Sequence, residues 1–168
     1  AIAEWIDYHL NPISILHPSY LKNSFELVKS LRNMEVHPDH LLVVADVTSL
    51  YTNMDINRMI ATTIQTLRLH PRPGRPDKFI IELLSLTLKN NDFEFNGNTY
   101  LQTTGCAMGK RYSPSLANNY LRDFDNHAMT RFRIKPIKYF RYLDDLLLIW
   151  PGSRQELQDQ VGDEARLL

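Results

Sequence analysis

Three aspartates occupy unusual places in this sequence. Asp46 closes the apolar run Leu41-Leu-Val-Val-Ala, and the pair Asp144-Asp145 sits between Tyr142 and the apolar run Leu146-Leu-Leu-Ile-Trp150. Charged side chains are costly in a core, so the tips of buried strands are where carboxylates can project into a cleft. If the two runs form neighbouring strands, the three carboxylates converge. Like charges at close range repel unless a proton or cation lies between them. Hard oxygen donors favour Mg²⁺ or Mn²⁺. Two such ions roughly 3.5–4 Å apart stabilise both the attacking and the leaving oxygen of a phosphoryl transfer. Taken singly, each aspartate reads better as a cap or turn residue, and an Asp-Asp pair in a bend is common. The flanks point the other way, because a solvated bend normally lies among polar residues.

The elements that must position these groups follow from patterning. Ile2, Trp5, Ile6 and Leu10 recur at helical spacing, and Asn11-Pro12 is expected to stop that helix. A second helix is predicted from Tyr20 to Arg32, with Ser19 as N-cap and Leu21, Leu27, Val28 and Leu31 on its buried side. Leu41 to Ala45 reads as a buried strand. Asp55 can cap a helix through Leu69, the proline-rich stretch from His70 to Pro76 is a loop, and Asp77 can cap a helix to Lys89. Asn96-Gly97 between Asp92–Phe95 and Thr99–Gln102 predicts a tight hairpin. Ser113-Pro114 opens a long helix to about Phe132. Ile137–Tyr142 and Leu146–Trp150 read as a strand pair bent at Leu143-Asp144-Asp145, and Ser153 caps a polar final helix.

Bulk composition sets bounds. The chain has 168 residues, enough for one domain with a real core, and 43% of them are apolar. The formal net charge is zero, so overall basicity does not advertise a nucleic-acid partner. With Cys106 as the only cysteine, no disulfide or cysteine-built zinc site is possible within the chain. Cys106 itself reads as a small packing residue. No apolar run is long enough to span a bilayer, and no membrane partner is expected.

The residues resemble reverse transcriptases, and most closely those of Penelope-like retroelements. Asp46-Val-Thr-Ser-Leu-Tyr51-Thr-Asn resembles motif A. Thr104-Gly-Cys-Ala-Met-Gly109-Lys-Arg-Tyr-Ser113-Pro114-Ser-Leu-Ala-Asn118 resembles motif B in its Penelope-like form, and Tyr142-Leu-Asp-Asp145 resembles the YxDD of motif C. The resemblance spans about residues 1–152 and is specific mainly in these three blocks. Retroviral enzymes carry Gln before the motif B glycine, whereas Met108 stands here.

The resemblance implies an RNA-directed DNA polymerase palm. It would be an α+β fold with a small antiparallel sheet (motif A strand plus motif C hairpin) backed by helices, with part of the fingers. It implies Asp46 and Asp144 as ligands of two Mg²⁺ ions (or Mn²⁺), Asp145 as electrostatic support and possible indirect ligand, and the Val47 carbonyl as a backbone ligand. Tyr51 would be the aromatic gate that clashes with a ribose 2′-hydroxyl. Gly109, Ser113 and Pro114 would flank the incoming dNTP. Lys110 and Arg111 are candidate phosphate contacts, with an ordinary solvated pair equally open. Two further basic clusters are candidates for following a phosphate backbone. Arg131, Arg133, Lys135, Lys138 and Arg141 form one. The second is Arg68, His70, Arg72, Arg75 and Lys78, for which a plain solvated surface is the better reading. The implied partners are an RNA template, a DNA primer and dNTPs, inside the cell and in the nucleus for a eukaryotic element.

The chain begins within a helix and without an initiator Met, so residues 1–168 read as a single partial reverse transcriptase domain. Upstream finger motifs, the primer grip and the thumb are expected outside it, and the isolated segment is expected to be a poor polymerase. Two other readings stay open. One is a degenerate or domesticated fragment that only binds nucleic acid or protein. The other is a different two-metal enzyme, a nuclease or nucleotidyl cyclase, against which motif B and Tyr51 count.

Overall fold

A computed structural model describes residues 1–161 of the chain, the side chain of Val161 excepted; residues 162–168 lie outside the described part. The described elements are α1 (Ile2–Ser14), α2 (Ser24–Arg32), β1 (Leu41–Asp46), α3 (Leu50–Asn53), α4 (Ile56–Leu69), α5 (Asp77–Lys89), β2 (Asp92–Phe95), β3 (Asn98–Leu101), α6 (Ser113–Arg131), β4 (Lys138–Tyr142), β5 (Asp145–Trp150) and α7 (Arg154–Val161). The expected α+β class holds. None of the described helices is long and apolar enough to cross a membrane.

The chain forms two packing units. One comprises residues 1–16 and 49–123, the other residues 17–48 and those from 124 onward. In the first, α1, α4 and α5 pack on one another. Their buried residues recur at helical spacing: Ile6 and Leu10 in α1, Met59 and Leu67 in α4, Ile80, Leu84 and Leu88 in α5. As expected, Asp55 caps α4, its side chain accepting from the Arg58 backbone N–H at 2.7 Å. The β2–β3 hairpin turns at Asn96 and Gly97, both with positive φ, as the dipeptide predicts.

The second unit is built on a three-stranded antiparallel sheet in the order β1-β5-β4. Its inner face carries Val43, Leu146, Leu148 and Trp150, against which Phe132, Ile134 and Leu157 pack. Trp150 is fully buried, and its indole N–H donates to the Ser153 carbonyl at 3.2 Å. Ser153 and Glu156 exchange hydrogen bonds as a capping box at the start of α7.

Three predicted helix boundaries shift. Helix α1 runs through Pro12 to Ser14, because Ile13 and Ser14 are buried and the Ser14 hydroxyl bonds to the Asn11 carbonyl. Helix α2 starts at Ser24 behind an Asn23 cap, not at Tyr20 behind Ser19. The Ser19 carbonyl and Leu21 N–H are instead drawn to the backbone of Arg141 at the edge of β4, at 2.7 and 2.9 Å. That pairing overrides the helical pattern, and no residue of α2 itself is buried; Val28 is exposed. Pro76, not Asp77, precedes the first turn of α5, and the Asp77 carboxylate accepts from Arg75.

Candidate functional site

The carboxylates owe their placement to strand alternation. Successive side chains of a strand point to opposite faces. In β1, Leu41, Val43 and Ala45 turn inward, leaving Leu42, Val44 and Asp46 on the outer face. In β5, Leu146, Leu148 and Trp150 turn inward, so Asp145 and Leu147 face outward. The register then sets Asp46 directly opposite Asp145. Residues so opposed have Cβ atoms about 4.5–5.5 Å apart, and like charges there are destabilising.

Asp144 sits half-buried in the two-residue turn Leu143-Asp144 that joins β4 to β5, with Tyr142 paired to Asp145 across its base. Leu143 adopts φ 54°. For an L-residue with a side chain this costs roughly 1–2 kcal/mol. The Val47 N–H donates to the Asp144 carbonyl at 3.0 Å and ties the turn to the residue after Asp46. Asp46, Val47, Asp144 and Asp145 are thus brought to one end of one sheet.

The donor set fits a hard divalent cation in chemistry. Asp46 and Asp145 are exposed carboxylates forced into opposition, and a cation relieves their repulsion. Among the described residues, however, no three acidic, histidine or cysteine side chains close around one ion-sized site.

Tyr51, Gly109, Lys110, Arg111, Ser113 and Pro114 lie in the helical unit, where Tyr51 and Ser113 are tied to Cys106. The Cys106 N–H donates to the Tyr51 carbonyl at 2.7 Å, and the Gly105 N–H donates to the Met54 carbonyl at 3.0 Å. Tyr51 is half-buried in the short helix α3. The buried Cys106 thiol donates to the Ser113 hydroxyl at 3.1 Å, and burial pushes the thiol's pKa up. Cys106 is therefore a packing residue. Ser113 is fully buried, its hydroxyl donating to the Ala107 carbonyl at 2.6 Å. It braces the loop from within, so a direct hydroxyl contact to a nucleotide is not available to it. Gly109, Lys110, Arg111 and Pro114 are exposed.

A family model described as reverse transcriptase (RNA-dependent DNA polymerase) matches residues 3–164. The chain belongs to the reverse transcriptase family. No curated protein matches it. Among solved structures, an apo telomerase from Candida tropicalis truncated at its C-terminal domain superposes with a TM-score of 0.71 at 12% identity, over 97% of this chain and 36% of that one. Telomerase from Candida tropicalis in complex with a TWJ fragment of telomeric RNA gives 0.70 at 12% identity, over 96% and 30%. The Candida albicans counterpart gives 0.68 at 12%, over 95% and 31%. These likenesses establish a shared fold, and the chain spans about a third of the telomerase chains.

Within this reverse transcriptase fold, two basic candidates part company. Lys138 is exposed on the outer face of β4, four residues from Tyr142 and hence about 13 Å along the strand. Arg141 corrects the expectation of a phosphate contact. It points to the inner face, is 0% exposed, and is ion-paired with the equally buried Asp125 at 2.9 Å. In the proline loop, Arg75 donates to the carbonyls of Leu67 and His70, both at 2.9 Å, and so closes the end of α4.

Two features escaped the sequence reading. Asp125 gives no local signal, because its partners Ser19, Tyr139 and Arg141 lie far from it in sequence. Gly105, not Gly109, is the glycine that the protein's own packing demands. It has φ 77°, and a Cβ there would lie 2.6 Å from the Tyr51 carbonyl oxygen. A Cβ at Gly109 would meet no atom within 4 Å. The run Thr104-Gly-Cys was visible as part of a motif, but which glycine is sterically locked depends on where Tyr51 folds.

Proposed function

We propose that the protein containing this chain is an RNA-directed DNA polymerase of a retroelement, adding dNTPs to a primer 3′-hydroxyl on an RNA template. The observation that carries this reading is the opposition of Asp46 and Asp145 beside the Asp144 turn, in a chain of the reverse transcriptase family. Reverse transcriptase domains generally use divalent ions. Asp46, Asp144 and the Val47 carbonyl would hold a Mg²⁺ pair, replaceable by Mn²⁺, with Asp145 adding negative charge alongside. When bound, such ions lower the pKa of the attacking hydroxyl and neutralise the pyrophosphate leaving group.

The chain's own residues supply the rest. The sheet fixes the carboxylates before substrate arrives, which lowers the cost of orienting the reacting oxygens. The Tyr51 ring would stand against C2′ of the sugar and leave no room for an oxygen. Gly109 and Pro114 would flank the incoming nucleotide, and Lys110, Arg111 and Lys138 would contact phosphates. Ser113 would act only through its backbone at the helix start. The Candida telomerase complexes hold a TWJ fragment of telomeric RNA, which fits RNA as a partner here. Met108 before Gly109 favours a Penelope-like element, and such an origin would place the protein in a eukaryotic nucleus.

The test is primer extension by the full-length protein on an RNA template, with Mg²⁺ or Mn²⁺ and with dNTPs against rNTPs. Wild-type protein is expected to extend with dNTPs. Asp144→Asn is expected to abolish extension while template binding, read by gel shift, stays within about twofold. Wild-type-like extension by Asp144→Asn would overturn the metal assignment.

A further inference from the structure

Beneath the Asp144 turn lies a buried polar cluster with no place in the scheme above. Asp125, in the second half of α6, is fully buried. Its carboxylate accepts the Ser19 hydroxyl at 2.6 Å, the Tyr139 hydroxyl at 2.8 Å and the Arg141 Nε–H at 2.9 Å. The His17 ring lies 2.6 Å from the Ser19 hydroxyl and backs the cluster. Burying an ion pair is not in itself a gain in stability over an apolar pair of similar size. Its value must then be sought in what the pair holds in place.

The guanidinium gives the answer. A second arm of Arg141, Nη1, donates to the Leu143 carbonyl at 3.3 Å. Leu143 is the turn residue with positive φ. Its carbonyl belongs to the peptide plane just before the Asp144 Cα. The Asp144 carbonyl, in the plane just after that Cα, accepts the Val47 N–H at 3.0 Å. With both flanking peptide planes hydrogen-bonded, φ and ψ of Asp144 are set, and so is the direction of its Cα–Cβ bond. The backbone of Arg141 is itself held at both ends, donating to the Ser19 carbonyl and accepting from the Leu21 N–H. Only a planar fork with several donors can serve Asp125 and the turn together. Lysine offers a single point charge.

We propose that Arg141, anchored by Asp125, is a positioning residue that aims the Asp144 carboxylate at the metal site. The inference rests on the reading of that hairpin as the metal centre. Arg141 touches neither metal nor substrate; it acts through the Leu143 carbonyl.

The test uses the full-length protein with Mn²⁺ alone as the probe, free Mn²⁺ being counted by electron paramagnetic resonance. It is run at a temperature where circular dichroism shows each variant folded. Arg141→Lys is expected to weaken Mn²⁺ binding at least fivefold and to raise the Mg²⁺ concentration for half-maximal extension in parallel. A merely structural role would lower the melting temperature and leave the Mn²⁺ affinity of the folded protein at its wild-type value, and that result overturns the proposal. If Arg141→Lys does not fold, Tyr139→Phe takes its place. It removes one hydrogen bond from Asp125 and keeps the ion pair. At least twofold weaker Mn²⁺ binding supports the proposal, and unchanged binding overturns it. Asp46→Asn separates the two readings. If it retains wild-type Mn²⁺ binding, the metal-centre reading itself fails. If it loses binding while Arg141→Lys and Tyr139→Phe keep theirs, only the positioning role fails.

Discussion

The placement of Asp46 and Asp145 at strand tips was legible because each interrupts an apolar run at its end, and period-two alternation explains why both reach the outer face. The burial of Arg141 was not legible for a related reason. A charge within a basic stretch looks solvated, and only the strand pairing shows that it falls on the same face as Leu146 and Leu148. Tyr51 has a direct test at this scale. Replacing it with Ala is expected to reduce discrimination against rNTPs by about tenfold or more, with dNTP incorporation the less affected activity. Single-nucleotide incorporation with matched dNTP and rNTP series measures this, and unchanged discrimination would remove Tyr51 from the gate role.

Hairpins and caps were legible at the scale of elements because their chemistry is local. Asn-Gly made the β2–β3 turn, and Asp55 and Ser153 capped the helices they precede. The start of α2 was not legible, because the bonds that hold Ser19 and Leu21 come from Arg141, more than a hundred residues away. Arg75 belongs to the same class. The proline loop displays a basic cluster, yet Arg75 commits its guanidinium to the carbonyls of Leu67 and His70 at the end of α4 and to Asp77. Hydrogen bonds from a charged donor contribute about 1.5–3 kcal/mol. Arg75→Ala is therefore expected to cost about that much in denaturant unfolding while RNA affinity stays unchanged. A large loss of RNA affinity with unchanged stability would return Arg75 to the phosphate contacts.

The whole molecule's stability should depend on pH through the helical unit. His9 is held below the usual 6.5 by burial, then by Arg72 and Arg75. Burial, then Arg122 and Arg75, holds His70 below it too. The unfolded chain takes up protons near 6.5, whereas the folded chain resists until a lower pH. Their contribution is therefore fully present above 6.5 and lost as the pH falls through the folded-state values. The melting temperature is expected to fall between about pH 7.5 and 5.5, and less steeply in His70→Gln. An identical slope in that variant would exclude His70 as a source. None of this was readable from composition, because the zero net charge conceals where the arginines stand.

Gly105 has a consequence outside biophysics. Every single-base missense change of a glycine codon installs a Cβ, and here that atom would fall 2.6 Å from the Tyr51 carbonyl oxygen, with Thr52 backbone atoms at 2.9 Å. Backbone on one side and φ 77° on the other leave no substitute an easy fit. Gly105→Ala is expected to abolish extension and lower the melting temperature, measured together. If the protein serves a retroelement, as proposed, this codon would behave as a clock hand among the element's copies. On that reading, a copy that has lost Gly105 is expected to have lost its own polymerase, whatever its aspartates still spell.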